Sequence, residues 1–319
     1  MRLDIRYVTR FRYAKTVAES QNELRAAPAT DDHQWLVHYH VTTTPSSRVL
    51  AYQDYWGTRV DTFGVRLPHQ LLEVVAEATV ETAGASSVPT GVSRATFTDQ
   101  DFRDNHMEFL QRSPHVDWGE TVADAAHACV DGVDDAGVLI ERVHEHCATL
   151  DYRRGETYVG VGVDEVYARR TGVCQDVAHL AIAFYRELGV PARYVSGYLF
   201  TVDDATGLDA DSDEVEVETH AWVEVAVPGH GWIALDPTNA QLVGERHVTI
   251  GRGRDYDDVS PFRGVFSGSR AHELEVNVTM RRLALEPVGE SMAPGRARRQ
   301  QQQQFEDRDR VQQSHQQQQ

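Results

Sequence analysis

An α+β fold is what this 319-residue chain predicts, with an antiparallel β region ahead of a mixed core built on one central helix. Three observations carry that expectation. The first 90 residues alternate apolar and polar side chains at the period of a half-buried strand. From Ser93 to Ala148 the apolar spacing becomes helical. After Gly172 an amphipathic helix starts abruptly at Cys174, and strands return beyond it. The length suffices for a sizeable core and two domains. We place these at residues 1–90 and 91–285, with a tail at 286–319.

In chain order, "RLDIRYVTRFRY" sets Leu3, Ile5, Tyr7, Thr9, Phe11 and Tyr13 against Arg2, Asp4, Arg6, Arg10 and Arg12. "WLVHYHVTT" puts Trp35, Val37, Tyr39 and Val41 on one side, and another strand runs from about Leu72 to Val80. Clusters of Pro, Gly, Asp and Ser separate these runs. The helical stretch contains "HMEFLQRS", "ETVADAAHACV" and "AGVLIERVHEHCA", the last with Val138, Ile140, Val143 and Cys147 on one face. After Cys174, the residues Val177, Leu180, Ala181, Phe184 and Leu188 recur at helical spacing until Gly189 and Pro191 stop the helix. Strands follow in "ARYVSGYLF", "HAWVEVAV", "GWIALDPTN" and "HVTIGRG". A final strand at about 272–283 sends Leu274, Val276, Val278 and Met280 one way. The Gln- and Arg-rich tail lacks apolar periodicity and reads as disordered.

Composition removes several function classes. Hydrophobic residues at 41% and charged residues at 25% are the proportions of a soluble globular protein. A net charge of −18 disfavours nucleic acid, whose phosphates would be repelled. No run approaches the ~20 apolar residues of a membrane span, and "MRLDIRYVTRFRYA" lacks the apolar core of a signal peptide. The expectation is a cytoplasmic protein without a membrane partner. Cys129, Cys147 and Cys174 form no CxxC pair, which fits a reducing compartment. Metal signals are weak. His144 and His146 are two apart and diverge on a helix, reading as solvated residues. "DADSDE" lacks the glycine and distal glutamate of a calcium loop, so Asp203 to Glu218 reads as a solvated acidic loop. No metal or cofactor is expected.

Cys174 stands out because a nucleophilic thiol needs a lowered pKa, a base, and a group to orient that base. A free thiol titrates near 8.5, and a helix N-terminus with a neighbouring histidinium lowers this to roughly 3.5–7.5. Gly172 is read as the turn that places Cys174 at the helix start, where free N–H groups favour an anion and could hold an oxyanion. Asp176 in the first turn is read as a helix cap. In "ETHAWVEV", Ala221, Val223 and Val225 make an apolar face, while His220, Trp222 and Glu224 share the other. In "GWIALDPTN", Asp236 closes a strand. A hairpin loop of even length would part His220 and Asp236. An odd loop, or one bulge, would bring them to one face.

Three stretches then carry a resemblance: "GVCQDVAHLAIAFYRELGVPARYVSGYL", "HAWVEVAVPGHGWIALDPTN" and "GRDYDDVSPFRGVF". In this order they resemble the transglutaminase-like superfamily, in its prokaryotic branch. "DYRRGETYVGVG" is similar to the element preceding the cysteine there, and the N-terminal β region resembles the domain that precedes the catalytic one. The likeness covers roughly residues 1–283 and departs at "DTFGVRL", where the branch usually has Asn after the Gly. It implies a papain-like, transglutaminase-like core behind an antiparallel β domain. It also implies Cys174 as nucleophile, His220 as base and acid, and Asp236 as the orienting carboxylate. Trp222 reads first as packing and second as a substrate-facing wall of the site, Tyr198 likewise, while Cys129 and Cys147 remain core residues.

The implied activity is attack on a carboxamide of a peptide or protein through a Cys174 thioester, with water favoured over an amine as acceptor. A protein transglutaminase, another acyltransferase on the same triad, and a catalytically silent binding module are the alternatives. The last would be signalled by a missing triad member.

One further feature concerns the surface. Among 31 basic residues Lys15 is the sole lysine, and 49 acidic residues outnumber them. Such an acidic surface suits high salt, where screening removes self-repulsion. Monovalent salt should therefore raise the melting temperature until screening saturates. A melting temperature unchanged from dilute to molar salt removes the salt-adapted reading.

Overall fold

The computed structural model describes residues 1–84, 87–153, 160–201, 214–268 and 271–283. The N-terminal part is strands: β1 (Arg2–Val17), β2 (Glu19–Leu24), β3 (Gln34–Thr44), β4 (Val49–Gln53), β5 (Arg59–Val65) and β6 (His69–Thr82). Helices follow: α1 (Gln100–Asn105), α2 (Glu120–Cys129) and α3 (Ala136–Cys147). Then come β7 (Asp151–Tyr152), α4 (Val163–Arg169), β8 (Thr171–Gly172) and the central α5 (Cys174–Glu187). The rest is β9 (Ala192–Leu199), β10 (Glu214–Val217), β11 (Thr219–Val227), β12 (Gly231–Asp236) and β13 (Gln241–Leu242). It ends with β14 (His247–Gly253), α6 (Tyr256–Val259), β15 (Phe262–Ser267) and β16 (Ala271–Arg282). The α+β expectation holds. The proposed tail begins beyond Leu283, outside the described residues.

The alternation in β1 holds except at Val8, which is also buried, and Phe11, which is half-buried. Leu3, Ile5, Tyr7 and Thr9 are buried, while Arg2, Arg6 and Arg10 stand in register opposite Glu81, Glu77 and Glu73 of β6. Arg10 and Arg12 also pair with Glu275 and Glu273 of β16. Like cross-strand ion pairs elsewhere, these hold register more than they add stability, each being worth at most about 1 kcal/mol. The strand order of this sheet is β10-β16-β1-β6-β3. It therefore draws two strands from beyond residue 200, and Met1–Leu283 forms one compact unit. A smaller sheet, β15-β2-β5-β4, packs a shared core with it.

Two periodicity readings need correction. In β3 a register shift falls between Leu36 and His38. The extra residue moves the apolar phase, so Leu36, Tyr39 and Val41 pack on the core, while Trp35 and Val37 face solvent. In α3 it is Leu139, not Val138, that joins Ile140, Val143 and Cys147 inside. Helical spacing admits both, and contact with α5 decides between them.

The third sheet, β13-β12-β11-β9-β14, carries α5 on one face. Eleven of the fourteen residues of α5 are buried, so this helix is sheathed by α2, α3, α4 and the sheet. The face of β11 expected to be apolar, Ala221, Val223, Val225 and Val227, packs in that core. On the opposite face the buried carboxylate of Glu224 receives Arg193 Nε at 2.6 Å and Arg252 Nε at 3.0 Å. Burial pushes this carboxyl up, and the two guanidiniums outweigh it, leaving it ionised below its ordinary range.

Gly197 in β9 lies opposite His220 in β11. A Cβ there would sit 2.2 Å from the Val248 carbonyl oxygen and 2.4 Å from Cη2 of Trp222. Gly197→Ala should cost about 3 kcal/mol, the upper end for overpacking, because a backbone carbonyl cannot step aside. The midpoint of denaturant unfolding checks this. A variant as stable as wild type would show that the seat of Trp222 is loose.

Candidate active site

The chain reaches Cys174 through a strained corner. α4 ends on Arg170, which adopts the left-handed conformation at φ 57°. Gly172 was read as the turn, but its φ is not positive. It is needed because a Cβ there would meet the Asp176 Cβ at 2.8 Å and Oδ2 at 3.1 Å. That closeness lets the Asp176 carboxylate accept the Val173 N–H at 2.9 Å, tying the first turn of α5 back to its entry. The Val173 carbonyl accepts from the amides of Asp176 and Val177. The amides of Cys174 and Gln175 precede them and are first-turn donors that a helix leaves over for an incoming oxygen.

His220 and Asp236 come together by loop parity. β11 and β12 are joined by Pro228, Gly229 and His230, three residues, with Gly229 and Gly231 at φ 77° and 74°. Val227 then pairs with Gly231 and Glu224 with Ala234, which places His220 and Asp236 on one face. His220 Nε2 lies 2.8 Å from Asp236 Oδ2. Cys174 and His220 line one cleft, with the thiol close enough to act on the ring, whose Nε2 is committed to Asp236. The three residues expected to converge do so.

Asp236 is fully buried and saturated with donors. Oδ2 accepts from His220, from Asn239 Nδ2 at 2.7 Å and from His247 Nε2 at 3.2 Å. Oδ1 accepts from the amides of Thr238 at 3.1 Å and Asn239 at 3.3 Å. Burial alone would raise its pKa, but the His220 and His247 bonds overcome this and hold the carboxyl far below its usual range. In His220, burial disfavours the charged ring. The Asp236 bond first, and the Cys174 bond next, outweigh burial and carry the ring up to about 9.

Of the two readings of Trp222 and Tyr198, packing holds and the wall of the site does not. Trp222 is completely buried, packed against Gly197 and edge-on to His247 at 5.3 Å, so it backs the histidines instead of touching substrate. Tyr198 is 2% exposed and stacks on Tyr7 of β1, because β9 runs on from the first core into the second. The residues that line the cleft of about 1160 Å³ beside Cys174 and His220 include Gln175, Tyr194, Ser196, Asn239 and Tyr256. Val217, Val276 and Val278 supply the opposite wall, from β10 and β16. Asn239 sits in the quoted "DPTN" and His247 opens "HVTIGRG". Neither carries a signal in its own stretch, because nothing local marks a side chain that acts across strands.

Other sequence candidates fall away from the site. Cys147 is buried in the α3 core with its thiol pushed up, by burial, above its ordinary range, and Cys129 is half-buried on α2. His146 packs against Tyr167 and Phe184 and is only partly exposed, as is His144. The acidic segment ends in a strand, β10, while residues 202–213 lie outside the described residues. His220, Asp236 and His247 are spaced closely enough for a metal. Yet His247 Nδ1 accepts the Gly244 N–H at 3.2 Å, so its Nε2 carries a proton aimed at Asp236. A metal on Nε2 would force a proton onto Nδ1, against that amide. The cluster is built as hydrogen-bond donors around a carboxylate.

The description "Transglutaminase-like superfamily" matches residues 123–237, and "Bacterial transglutaminase-like N-terminal region" matches residues 3–81. An uncharacterized protein of Mycobacterium leprae is 35% identical over 287 residues, covering 89% of this chain and 99% of its own. One from Mycobacterium tuberculosis is 32% identical over 299 residues, covering 87% and 91%. The crystal structure of a candidate cysteine protease from Cytophaga hutchinsonii shares the fold at a TM-score of 0.67. It is 19% identical and covers 90% of this chain and 93% of that one. With a cysteine at the start of the buried helix, a histidine and aspartate on a neighbouring hairpin, and both family regions in place, the chain belongs to the transglutaminase-like superfamily.

Proposed function

We propose that the protein is a cysteine-dependent acyl-transfer enzyme acting on carboxamides of peptides or proteins. The observation that carries this reading is Cys174 and His220 side by side in one cleft, with the His220 ring bonded to the buried Asp236 carboxylate. The Cys174 sulfur, its proton taken by His220, attacks the carboxamide carbon. The oxygen gains charge beside the first-turn amides of α5. His220 returns its proton to the departing amine, leaving a thioester on Cys174. A second nucleophile, activated by the same ring, then releases the acyl group.

Water is the acceptor we favour. A crosslinking enzyme needs reachable lysine amines, and this chain carries a single lysine. If the proteins around it share that composition, amines are scarce while water is abundant. The transglutaminase-like core favours the second reading, transfer to an amine, because one triad serves both acceptors.

Incubation with a glutamine-containing peptide, with and without a primary amine, separates these readings. Hydrolysis should dominate, with deamidated peptide as product. Dominant amine incorporation at modest amine concentration would assign the protein to transfer instead. Cys174→Ala should abolish turnover while leaving the circular dichroism spectrum unchanged. Wild-type activity in that variant would remove Cys174 as the nucleophile, and this reading with it.

The pH profile offers a further check. A ring held up to about 9 stays protonated, and able to serve the leaving amine, until the pH passes that value. kcat/KM should therefore fall above about pH 9. Asp236→Asn removes the charge that supports the imidazolium, so this alkaline limb should move to lower pH and kcat should drop about 100- to 10,000-fold. A limb that does not move would separate Asp236 from His220 in catalysis.

A further inference from the structure

His247 is not part of the Cys174–His220–Asp236 chain, yet it is bound to its end. Its side chain is 3% exposed, at the first position of β14. Two bonds lock it onto its own turn: the His247 N–H donates to the Gly244 carbonyl at 3.0 Å, and Nδ1 accepts the Gly244 N–H at 3.2 Å. With Nδ1 an acceptor, the neutral ring must carry its proton on Nε2. That proton points at Asp236 Oδ2 over 3.2 Å, the same oxygen that holds His220. Trp222 meets the ring edge-on at 5.3 Å and fixes its plane.

From this geometry, and resting on the triad reading above, we infer that His247 is a positioning residue, which shares Asp236 with His220 and limits how strongly the carboxylate grips the catalytic ring. The physical reason is competition. A carboxylate oxygen that accepts several hydrogen bonds spreads its charge among them and pulls less on any one donor. Removing the His247 bond returns that density to Oδ2, where His220 is the donor able to respond by holding its proton harder. A ring that holds its proton too hard releases it slowly to the departing amine.

The other charged groups around this network are few among the described residues. The field of Asp236 reaches His144 on α3. The Glu245 carboxylate next to His247 binds the Met1 ammonium at 3.2 Å. Glu216 and Glu218 line the cleft on the side of β10.

Two substitutions separate the bond to Asp236 from the bond to Gly244. His247→Asn carries an oxygen near the Nδ1 position and can keep the Gly244 bond, but is too short to reach Asp236. His247→Gln reaches the Nε2 position with an N–H donor and restores the bond to Asp236. The readout is the rate at which iodoacetamide alkylates Cys174 in the full chain from pH 5 to 11, followed by peptide mass spectrometry. It needs no knowledge of the substrate. In wild type this rate should change at the pH where His220 loses its proton. In His247→Asn that step should move upward by about 0.5–1 pH unit, and in His247→Gln it should return to the wild-type position. His247→Phe, similar in shape and without a donor, carries the same expectation as Asn and serves if Asn does not fold.

A step that stays in place in folded Asn or Phe variants overturns the proposal and leaves His247 a structural residue of its turn. His220→Ala is the control for the triad itself, and it should replace the profile with the single ionisation step of an unassisted thiol. If it leaves the profile unchanged, the triad reading fails, and the proposal for His247 falls with it for that separate reason.

Discussion

The buried carboxylate of Asp236 is the constraint on which the rest of the site depends. An ionised carboxylate at zero exposure is costly unless its lone pairs are filled. Here donors come from three directions: the His220 ring from β11, the His247 ring from β14, and the Thr238 and Asn239 segment that follows β12. Satisfying that one charge therefore locates two strands and a turn relative to one another. His220 is oriented as a by-product, with its remaining nitrogen left for the thiol at the start of α5.

Asp236 can play this part because the hairpin that carries it has a three-residue loop, and a change of one residue would send it to the other face of the sheet. The same face holds a second buried charge system, with Glu224 between Arg193 and Arg252 and the Arg193 guanidinium 3.8 Å over Trp232. One side of β11 is thus committed to paired charges and the other to the apolar packing of α5. The strand cannot slip register without exposing one set and stranding the other. Stiffness of this kind suits a site whose catalytic atoms must meet within hydrogen-bond distance.

The N-terminal sheet contributes directly to the site. β10 leaves that sheet at Val217 and the chain enters β11 at Thr219, one residue before His220. Val276 and Val278 of β16 face the cleft from the same sheet, and β9 carries Tyr198 and its neighbour Phe200 into the shared core. The cleft is therefore walled by residues far apart in sequence. This is why Trp222 and Tyr198, the aromatic candidates for a wall, are packing residues that do not reach the cleft. Tyr194 and Ser196, which do reach the cleft, gave no sign of it in their local pattern.

What the sequence by itself determined are features governed by neighbours in the chain. The alternation of β1 and β6, the amphipathic run of α5, the Asp176 cap and the order Cys174, His220, Asp236 all follow from local spacing, and all stand in the structure. The alternation also narrowed the hairpin to two cases, and the loop length chose between them. Tertiary structure alone decided what depends on partners distant in sequence. The bulge in β3 comes from its register on β6, the inward turn of Leu139 from its packing against α5, and the demand on Gly172 from the nearness of Asp176. His247 and Asn239 belong to the same class. A histidine at the start of a strand has no periodic signature, and its importance arises only when folding brings its proton to a carboxylate eleven residues away, already shared with another ring.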